Sequence, residues 1–529
     1  MIDASNKDSA LPSLPASSTC RSPEWGLVRR FGFRFVFIFW LLFGYPIVGS
    51  IPSQILGQAS QAFSTSTDPS AHGWFVRSLE WASEIVGWPV GAWIWVWIGA
   101  SEVQSAATAV PTGTGTSASD TWHGAVPWLA EHIGFIKAVI ERLPPDARDP
   151  RPQFQSGSGD QLFNWLEVGC FFTIALVGAA VWSVVRRKPC AYPYHSPAAR
   201  FLNCWVRLLL IATMFGYGLA KVFPSQFPTP FASRLIQPYG ESSPMGILWT
   251  FMGASPAYTI FAGAMEFLGG ALLMFRRTTL LGALVVTAVM TNVFVLNMCY
   301  DVPVKLYSFM YLLAAVWVTL PDLPRLVNVV VLNCPAAARK HQPIVKHPAL
   351  VRSWFAAKWL MLAGLLATQV HSAHRSWTQI TSMQTPQGID GLYVVDSFKR
   401  DGTEAPPLVT DGTRWKRINI NTAYGAIGIR GLNDVNQRFS LVHDADKKLL
   451  TLKPMPGKAV GPSGEVDYKI IPTDGPVTFT YAADSQGKLN MQGTIGGTET
   501  EVRLTRLDGS KFLLLNRGFH WVSQYPFNR

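Results

Sequence analysis

The chain has 529 residues, of which 48% are hydrophobic and only 15% are charged, and its mean hydropathy is +0.18. Average proteins carry about 25% charged residues, so this composition excludes a disordered, collagen-like or disulfide-scaffold protein and an ordinary cytosolic enzyme. Twenty Trp and 31 Phe are typical of the aromatic belts of membrane proteins. The net charge of +12 does not indicate a nucleic-acid partner, because the basic residues cluster beside apolar runs. The composition therefore predicts a membrane protein in contact with a lipid bilayer.

The apolar runs predict a membrane α-helical bundle of about seven spans. They follow a polar tail over residues 1–28, and most of them are long enough to cross about 30 Å of hydrocarbon. A cleaved signal peptide is the competing interpretation of the first run, which is long for that role and starts late. The predicted spans are residues 35–51, 163–185, 201–223, 256–275, 280–298, 306–320 and 354–370.

Basic residues flank alternate connections between these spans. By the positive-inside rule that side is the cytoplasm, so we expect a bacterial inner-membrane protein with a cytoplasmic N-terminus and a periplasmic C-terminal domain. The segment 85–100 is Trp-rich, contains Pro89 and is about 16 residues long, which favours a re-entrant or interfacial helix over a crossing. The flanking residues are Arg29, Arg30, Arg186, Arg187, Lys188, Arg276, Arg277, Arg325, Arg339, Lys340 and Lys346.

After the last span, short runs alternate apolar and polar residues between turn signals such as Asp401-Gly402 and Asp508-Gly509. Spacings near ten residues predict an all-β, lipocalin-like antiparallel barrel or sandwich, whose interior is either packed or holds one ligand. The predicted strands are residues 392–397, 415–420, 426–429, 438–443, 449–453, 466–471, 477–481, 488–492, 501–506 and 512–516.

Several motifs resemble the DoxX family of membrane proteins, within about residues 200–325. The chain's last residues, RGFHW at 517–521 and YPFNR at 525–529, are similar to the ending of the long subgroup with a β-domain. The motifs are FGYGLAK at 215–221, SSPMG at 242–246, WTFMG at 249–253, EFLGG at 266–270, FRRTT at 275–279, LGA at 281–283 and YDVPVKLY at 300–307.

This resemblance implies a four-helix unit and a link to quinones. The family is similar to the membrane subunit of archaeal thiosulfate:quinone oxidoreductase and, more remotely, to the membrane helices of vitamin K-dependent carboxylase. Membership alone does not transfer a reaction. The predicted parts are a cytoplasmic tail (1–28), an N-terminal membrane part (29–200) with a periplasmic loop (52–162), the DoxX-like unit (201–325), a linker with the last span (326–375) and a periplasmic β-domain (376–529).

Glu266 is the most informative residue, because it lies about ten positions into a span and hence near the bilayer midplane. An ionisable group there costs about 2.5 kcal/mol or more on insertion scales, so it needs a partner. Lys221 and Asn292 are the candidate partners, and Tyr217 shares a helix face with Lys221. We interpret Lys221 and Glu266 as candidate catalytic residues, with a plain buried ion pair as the alternative.

Other polar residues complete a candidate cofactor-binding set for a quinone headgroup, which needs hydrogen-bond donors, a proton-exchanging carboxylate and apolar walls. The alternatives favoured for several of them are interhelical hydrogen bonds and helix capping. The set comprises Tyr217, Asn292, Asn297, Asp301, Lys305 and Tyr307.

No metal ligands and no resident redox cofactor are visible in the sequence, because the ten histidines are scattered and the six cysteines include no CxxC pair. A bound quinone is the cofactor we consider. The first functional hypothesis is a quinone- or isoprenoid-lipid-binding component of an envelope redox system, which needs a soluble redox subunit to deliver electrons. The alternative is a non-catalytic scaffold or lipid-handling protein that presents the β-domain.

Overall fold

The structure is a computed structural model. The segment 85–100 and almost all of the tail 1–28 lie outside its described residues. The described residues are 26–51, 54–55, 58, 118–153, 157–186, 196–336, 348–455, 459–461, 464–466, 469–472, 475–484, 487–509 and 512–528.

The N-terminal part of the chain is helical. The principal helices are α1 (Leu27–Val48), α2 (Ala118–His132), α3 (Gly134–Ile140), α4 (Leu162–Val185), α5 (Pro197–Val222), α6 (Pro244–Ala254), α7 (Pro256–Met274), α8 (Thr279–Cys299), α9 (Lys305–Thr319) and α10 (Pro348–Gln384). Within the described residues, six helices are long and apolar enough to cross a bilayer: α1, α4, α5, α7, α8 and the run Lys305–Val331 that begins with α9. These six confirm the helical bundle.

The seventh predicted span, residues 354–370, lies inside α10, a helix of 37 residues. Helix α10 is not among the six, since its composition is less apolar. The first span begins earlier than predicted, so that Arg34 lies within α1 and is buried. Its Nη2 donates to the carbonyl oxygen of Arg186 at 2.9 Å, which satisfies the guanidinium inside the helix pair.

The chain divides into two compact units. The first comprises Met1–Leu210 and Val316–Met361, and the second comprises Ile211–Ala315 and Leu362–Arg529. In the first unit α1 packs on α4 through aromatic side chains, and Trp205 Nε1 donates to the carbonyl oxygen of Trp40 at 3.0 Å.

In the second unit, the connection between α5 and α7 carries α6, which begins at Pro244 behind an N-cap serine, Ser243. The same connection contains a further helical turn, Ala232–Leu235. An apolar cluster of Phe227, Leu248, Met252 and Val302 packs this connection onto the turn after α8.

The C-terminal part is a closed antiparallel barrel of eight strands in up-and-down order, which confirms the predicted barrel and decides against a sandwich. Each strand pairs with its neighbours in sequence, and the last pairs with the first. The strands are β1 (Gly391–Arg400), β2 (Trp415–Asn421), β3 (Ala426–Gly431), β4 (Asn436–Asp444), β5 (Leu449–Pro454), β6 (Val477–Ala483), β7 (Lys488–Ile495) and β8 (Thr498–Arg506).

Side chains fill the barrel. Trp415 is fully buried and makes edge-to-face contacts with Phe398 and Phe479, both at 5.6 Å between ring centroids. Eight strands enclose a space that side chains can fill, and this interior is a packed core. The predicted strand 512–516 is wrong, because Leu513–Asn516 forms one helical turn.

The predicted strand 466–471 is wrong in its described residues, since Val466 ends a short strand outside the barrel ring, Gly464–Val466, and residues 469–471 belong to no strand. Ile470 and Ile471 reach the core from a bend, which explains their apolar character without a strand.

The barrel is bonded to the connection between α5 and α7. Arg430 Nη2 on β3 donates to Glu241 Oε1 at 2.8 Å, and both side chains are nearly buried. Gln384 Nε2, at the end of α10, donates to the carbonyl oxygen of Thr229 at 2.6 Å. The first bond joins the connection to the barrel, and the second joins it to the end of α10.

Candidate functional site

Two glycines let α5 and α7 approach closely. A Cβ atom on Gly218 would lie 2.8 Å from the backbone nitrogen of Phe267 and 2.9 Å from the carbonyl oxygen of Gly263. A Cβ atom on Gly263 would lie 2.5 Å from the carbonyl oxygen of Gly218. Small residues allow such backbone contact between membrane helices. Lys221 follows Gly218 by three residues, and Glu266 follows Gly263 by three, so each shares a helix face with its glycine. The two side chains therefore meet beside the contact between α5 and α7.

Lys221 and Glu266 form a direct ion pair. The distance from Lys221 Nζ to Glu266 Oε2 is 2.8 Å. The two residues are 7% and 3% exposed, so the pair is withdrawn from its surroundings. Removing one partner of such a buried pair typically costs about 3–5 kcal/mol, since the other charge is left without compensation. The predicted partnership is present, and Asn292 does not take part in it.

Tyr217 connects the ion pair with the outside of the bundle. Lys221 Nζ lies 5.6 Å from the centroid of the Tyr217 ring and 3.5 Å from the Tyr217 carbonyl oxygen. Tyr217 itself is 42% exposed. Its ring is therefore reachable from the side of the bundle, while the ammonium behind it is buried.

Two further hydroxyl groups lie near Tyr217. Tyr311 on α9 is hydrogen-bonded to Thr213 on α5 and lies near the phenols of Tyr217 and Tyr307. Tyr311 and Thr213 are both buried. The ion pair together with Tyr217, Tyr311 and Thr213 is called the polar cluster below.

Sequence reasoning identified Tyr217 and Tyr307 but missed Thr213 and Tyr311. The signal was available, since Thr213 precedes Tyr217 by four residues and Tyr311 follows Tyr307 by four. Residues four apart share a helix face. A search for polar residues one helical turn before Tyr217 and one turn after Tyr307 would have found both.

The two asparagines of α8 have different surroundings. Asn297 is buried and its Nδ2 donates to Ser308 Oγ on α9 at 3.1 Å. This bond joins two helices, as the alternative interpretation expects. Asn292 lies on an exposed face of α8 and makes no hydrogen bond with Glu266, so the prediction that it partners Glu266 is wrong. Its position one and a half turns before Asn297 places it on the opposite side of the helix.

Asp301 and Lys305 pair with each other rather than with Lys221. Lys305 Nζ donates to Asp301 Oδ1 at 2.8 Å, and the Asp301 side chain is 84% exposed. Asp301 adopts a positive φ of 50° in the turn between α8 and α9. This arrangement is typical of a solvated turn, and the structure does not bring these two residues to the Lys221–Glu266 pair.

A shallow groove of about 600 Å³ lies elsewhere, along one face of α10. Neither Lys221 nor Glu266 lines it; its lining residues are Ala363, Leu366, Ala367, Val370, His371 and His374. Within the described residues, no group of three or more His, Cys, Asp and Glu residues is placed to hold a metal ion. The polar cluster therefore remains the candidate site, with an ammonium that can donate and a carboxylate that can exchange a proton.

Comparisons with known proteins add little. No family model matches the chain, and no solved structure matches it. Among curated proteins, the chain is similar to the uncharacterized protein YwoB of Bacillus subtilis (strain 168), at 36% identity over 102 residues. The aligned part is 19% of this chain, and the chain spans 62% of that relative's length. The relative has no assigned activity, so the likeness suggests none.

Proposed function

We propose that this chain is a DoxX-family membrane protein that binds the headgroup of a quinone, or of another isoprenoid lipid, at Lys221 and Glu266, as part of an envelope redox system. The observation that carries the proposal is the buried ion pair with Tyr217 partly exposed in front of it. A charged pair inside a membrane bundle is costly, and such residues mark functional sites by default.

The cluster offers the groups that a quinone headgroup needs. Lys221 Nζ and the Tyr217 hydroxyl can donate hydrogen bonds to a carbonyl oxygen of the ring. Reduction of a quinone to a quinol takes up two electrons and two protons. In this proposal the Lys221 ammonium gives one proton, Glu266 takes up a proton from water and passes it on as the second, and Lys221 is reprotonated from water afterwards. The electrons come from a soluble redox subunit in this proposal. The half-exposed face of Tyr217 is the entry side for a lipid-like molecule.

The contact between the barrel and the α5–α7 connection supports seven crossings. Because Glu241 and Arg430 are bonded, they lie on the same side of the membrane. Three candidate spans separate Glu241 from α10, namely α7, α8 and the run Lys305–Val331. An even number of crossings is required between two points on one side, so α10 has to cross as well. With basic residues such as Arg276 and Arg325 on the cytoplasmic side, the barrel is then periplasmic.

Lipid extraction tests the proposed ligand. The full chain is purified from its native membrane, and the organic extract is analysed for quinones by liquid chromatography with mass spectrometry. We expect a quinone or another isoprenoid lipid at close to one per chain in the wild type, and a loss of at least about tenfold in Lys221→Met or Glu266→Gln, equal to about 1.4 kcal/mol. Asn292→Ala is the matched control, because this polar residue of a neighbouring helix lies outside the cluster. Equal quinone content in the wild type and both variants would refute the proposal.

The alternative is a non-catalytic scaffold, and one observation favours it. Lys221 and Glu266 already satisfy each other at 2.8 Å, as a purely structural pair does. The packed core of the barrel is evidence against the version of this alternative in which the barrel carries a lipid inside. Absence of quinone together with a stable, correctly inserted chain is the result that the scaffold predicts.

A further inference from the structure

The outer face of β2–β4 carries a group of basic side chains, separate from the polar cluster. Arg417 on β2 lies directly opposite Arg430 on β3. Arg438 on β4 lies opposite Gly428, two residues before Arg430. Lys416 adds a fourth cation, which binds Asp434 at 2.7 Å. Because the apolar residues between them face the core, these basic side chains point out of the barrel.

Arg234 joins this group from the α5–α7 connection. Its Nη1 donates to Gln237 Oε1 at 2.6 Å. The same nitrogen lies 3.0 Å from where a Cβ atom on Gly246 would be, so the guanidinium lies on the first turn of α6. Burial, followed by the nearby positive charge of Arg438, lowers the pKa of Arg234. Hydrogen bonds connect Arg234 with the barrel, since Gln237 Nε2 donates to the carbonyl oxygen of Glu241 at 2.8 Å and Glu241 binds Arg430. The Arg234 guanidinium also lies at a helix N-terminus, where a positive charge is unfavourable.

The nearby carboxylates do not neutralise this group. Glu241 binds Arg430, and Asp434 binds Arg430 and Lys416. Within the described part of the chain, none of the remaining three cations forms an ion pair; they are Arg234, Arg417 and Arg438. Five cations face two carboxylates, which leaves a net charge of +3 on this surface. Such a surface attracts an anion.

The position of this basic surface relative to the membrane indicates which anion it meets. The connection that carries Arg234 runs between two candidate spans, Pro197–Val222 and Pro256–Met274, so it lies at the level of the lipid headgroups. The Arg430–Glu241 bond holds the basic face of the barrel against this connection. Tyr239 in the same connection is 78% exposed, as expected for an aromatic residue at a membrane interface.

We propose that Arg234, Arg438 and Arg417 bind the phosphate groups of anionic phospholipid headgroups, so that the barrel is docked on the membrane surface beside the bundle. Guanidinium groups bind phosphate oxygens in paired, charge-assisted hydrogen bonds. This site is independent of the Lys221–Glu266 site and does not need a quinone.

Native mass spectrometry of the full chain in detergent tests the proposal, with phosphatidylglycerol and phosphatidylcholine titrated in parallel. We expect the wild type to retain phosphatidylglycerol in preference to phosphatidylcholine. Arg234→Gln/Arg438→Gln should weaken phosphatidylglycerol binding about tenfold, and Arg438→Gln alone, at an exposed strand position, should weaken it by a smaller factor. Lys447→Gln/Lys488→Gln is the control, because it removes the same charge from exposed positions elsewhere on the barrel. The control should bind like the wild type.

Three outcomes would overturn the proposal. The first is equal retention of the two lipids by the wild type. The second is equal loss of phosphatidylglycerol in the control variant, which would show a general charge effect. The third is a double variant that no longer binds inorganic phosphate but still binds phosphatidylglycerol like the wild type. This result would assign the site to a soluble anion. Because Arg438 is exposed, its single variant keeps the test valid if the double variant does not fold.

Discussion

A double-mutant cycle on the ion pair separates its structural role from a ligand-binding role. Lys221→Met leaves Glu266 without its partner at 2.8 Å, and Glu266→Met leaves Lys221 in the same position. Each single substitution should destabilise the chain by about 3–5 kcal/mol, because one buried group loses its compensation. The double variant replaces the pair by two apolar side chains of similar volume, which is often neutral in stability. We therefore expect the double variant to recover most of the lost thermal stability.

Quinone content distinguishes the two roles in this cycle. Thermal unfolding is followed by fluorescence-detected size-exclusion chromatography, and quinone is extracted from the same samples. If the pair holds a headgroup, the double variant is stable but contains no quinone. The pair Asp301–Lys305 is the matched control; its Asp301 is 84% exposed, so Lys305→Met should cost at most about 1 kcal/mol. A stable double variant with the quinone content of the wild type would refute our reasoning, because neither charged group would then be needed for binding.

Three further results are expected. Asn297→Ala should lower the free energy of unfolding by roughly 1–3 kcal/mol in the same thermal assay, because Ser308 loses a buried partner. Asn292→Ala, at an exposed position, should change this free energy little, and equal effects of the two substitutions would contradict the assigned positions. Gly263→Val should push α5 from α7 and reduce quinone content together with stability, and a wild-type melting temperature would show that the close contact is not required. At Asp411, burial raises the pKa but hydrogen bonds from Arg400 and Thr413 outweigh it, so the pKa is lowered. This carboxylate stabilises the barrel above about pH 4 and loses that effect as the pH falls through its lowered pKa. Asp411→Asn should therefore increase amide hydrogen exchange around this turn, by a factor that corresponds to about 0.5–1 kcal/mol at neutral pH. The difference between wild type and variant should shrink in acid. A difference that stays constant with pH would contradict the link between Asp411 ionisation and stability.

The sequence predicted most of the secondary structure, because strong periodic patterns leave little choice. Six apolar runs became helices of the expected kind, and eight of ten alternating runs became barrel strands. In the two runs that were wrong, 466–471 and 512–516, the described residues other than Val466 join no ladder. A segment with alternating apolar and polar residues forms a strand only where another strand has an unpaired edge. The pattern does not show whether such an edge exists, and in the closed ring of eight strands every edge is already paired.

The site was predicted in part. Lys221 and Glu266 were found because a charge inside an apolar run is rare and has few possible partners. The asparagine Asn292 was misplaced, since its orientation depends on the rotation of α8 about its own axis, which a uniformly apolar helix does not specify. The bond between Arg430 and Glu241 joins residues 189 positions apart, and no local pattern could have indicated it.

Closure of the barrel limits how this domain can meet other molecules. Each of its eight strands uses both of its edges for neighbours, from the β1–β2 ladder round to the β8–β1 ladder. An extended peptide, or another copy of this domain, therefore cannot add a strand to the ring itself. Among the described residues, the short strand Gly464–Val466 outside the ring pairs only with Ala459–Gly461, so its other edge is open. Recognition by the ring has to use outward side chains or turns, and edge-to-edge association of crowded copies is confined to this three-residue strand.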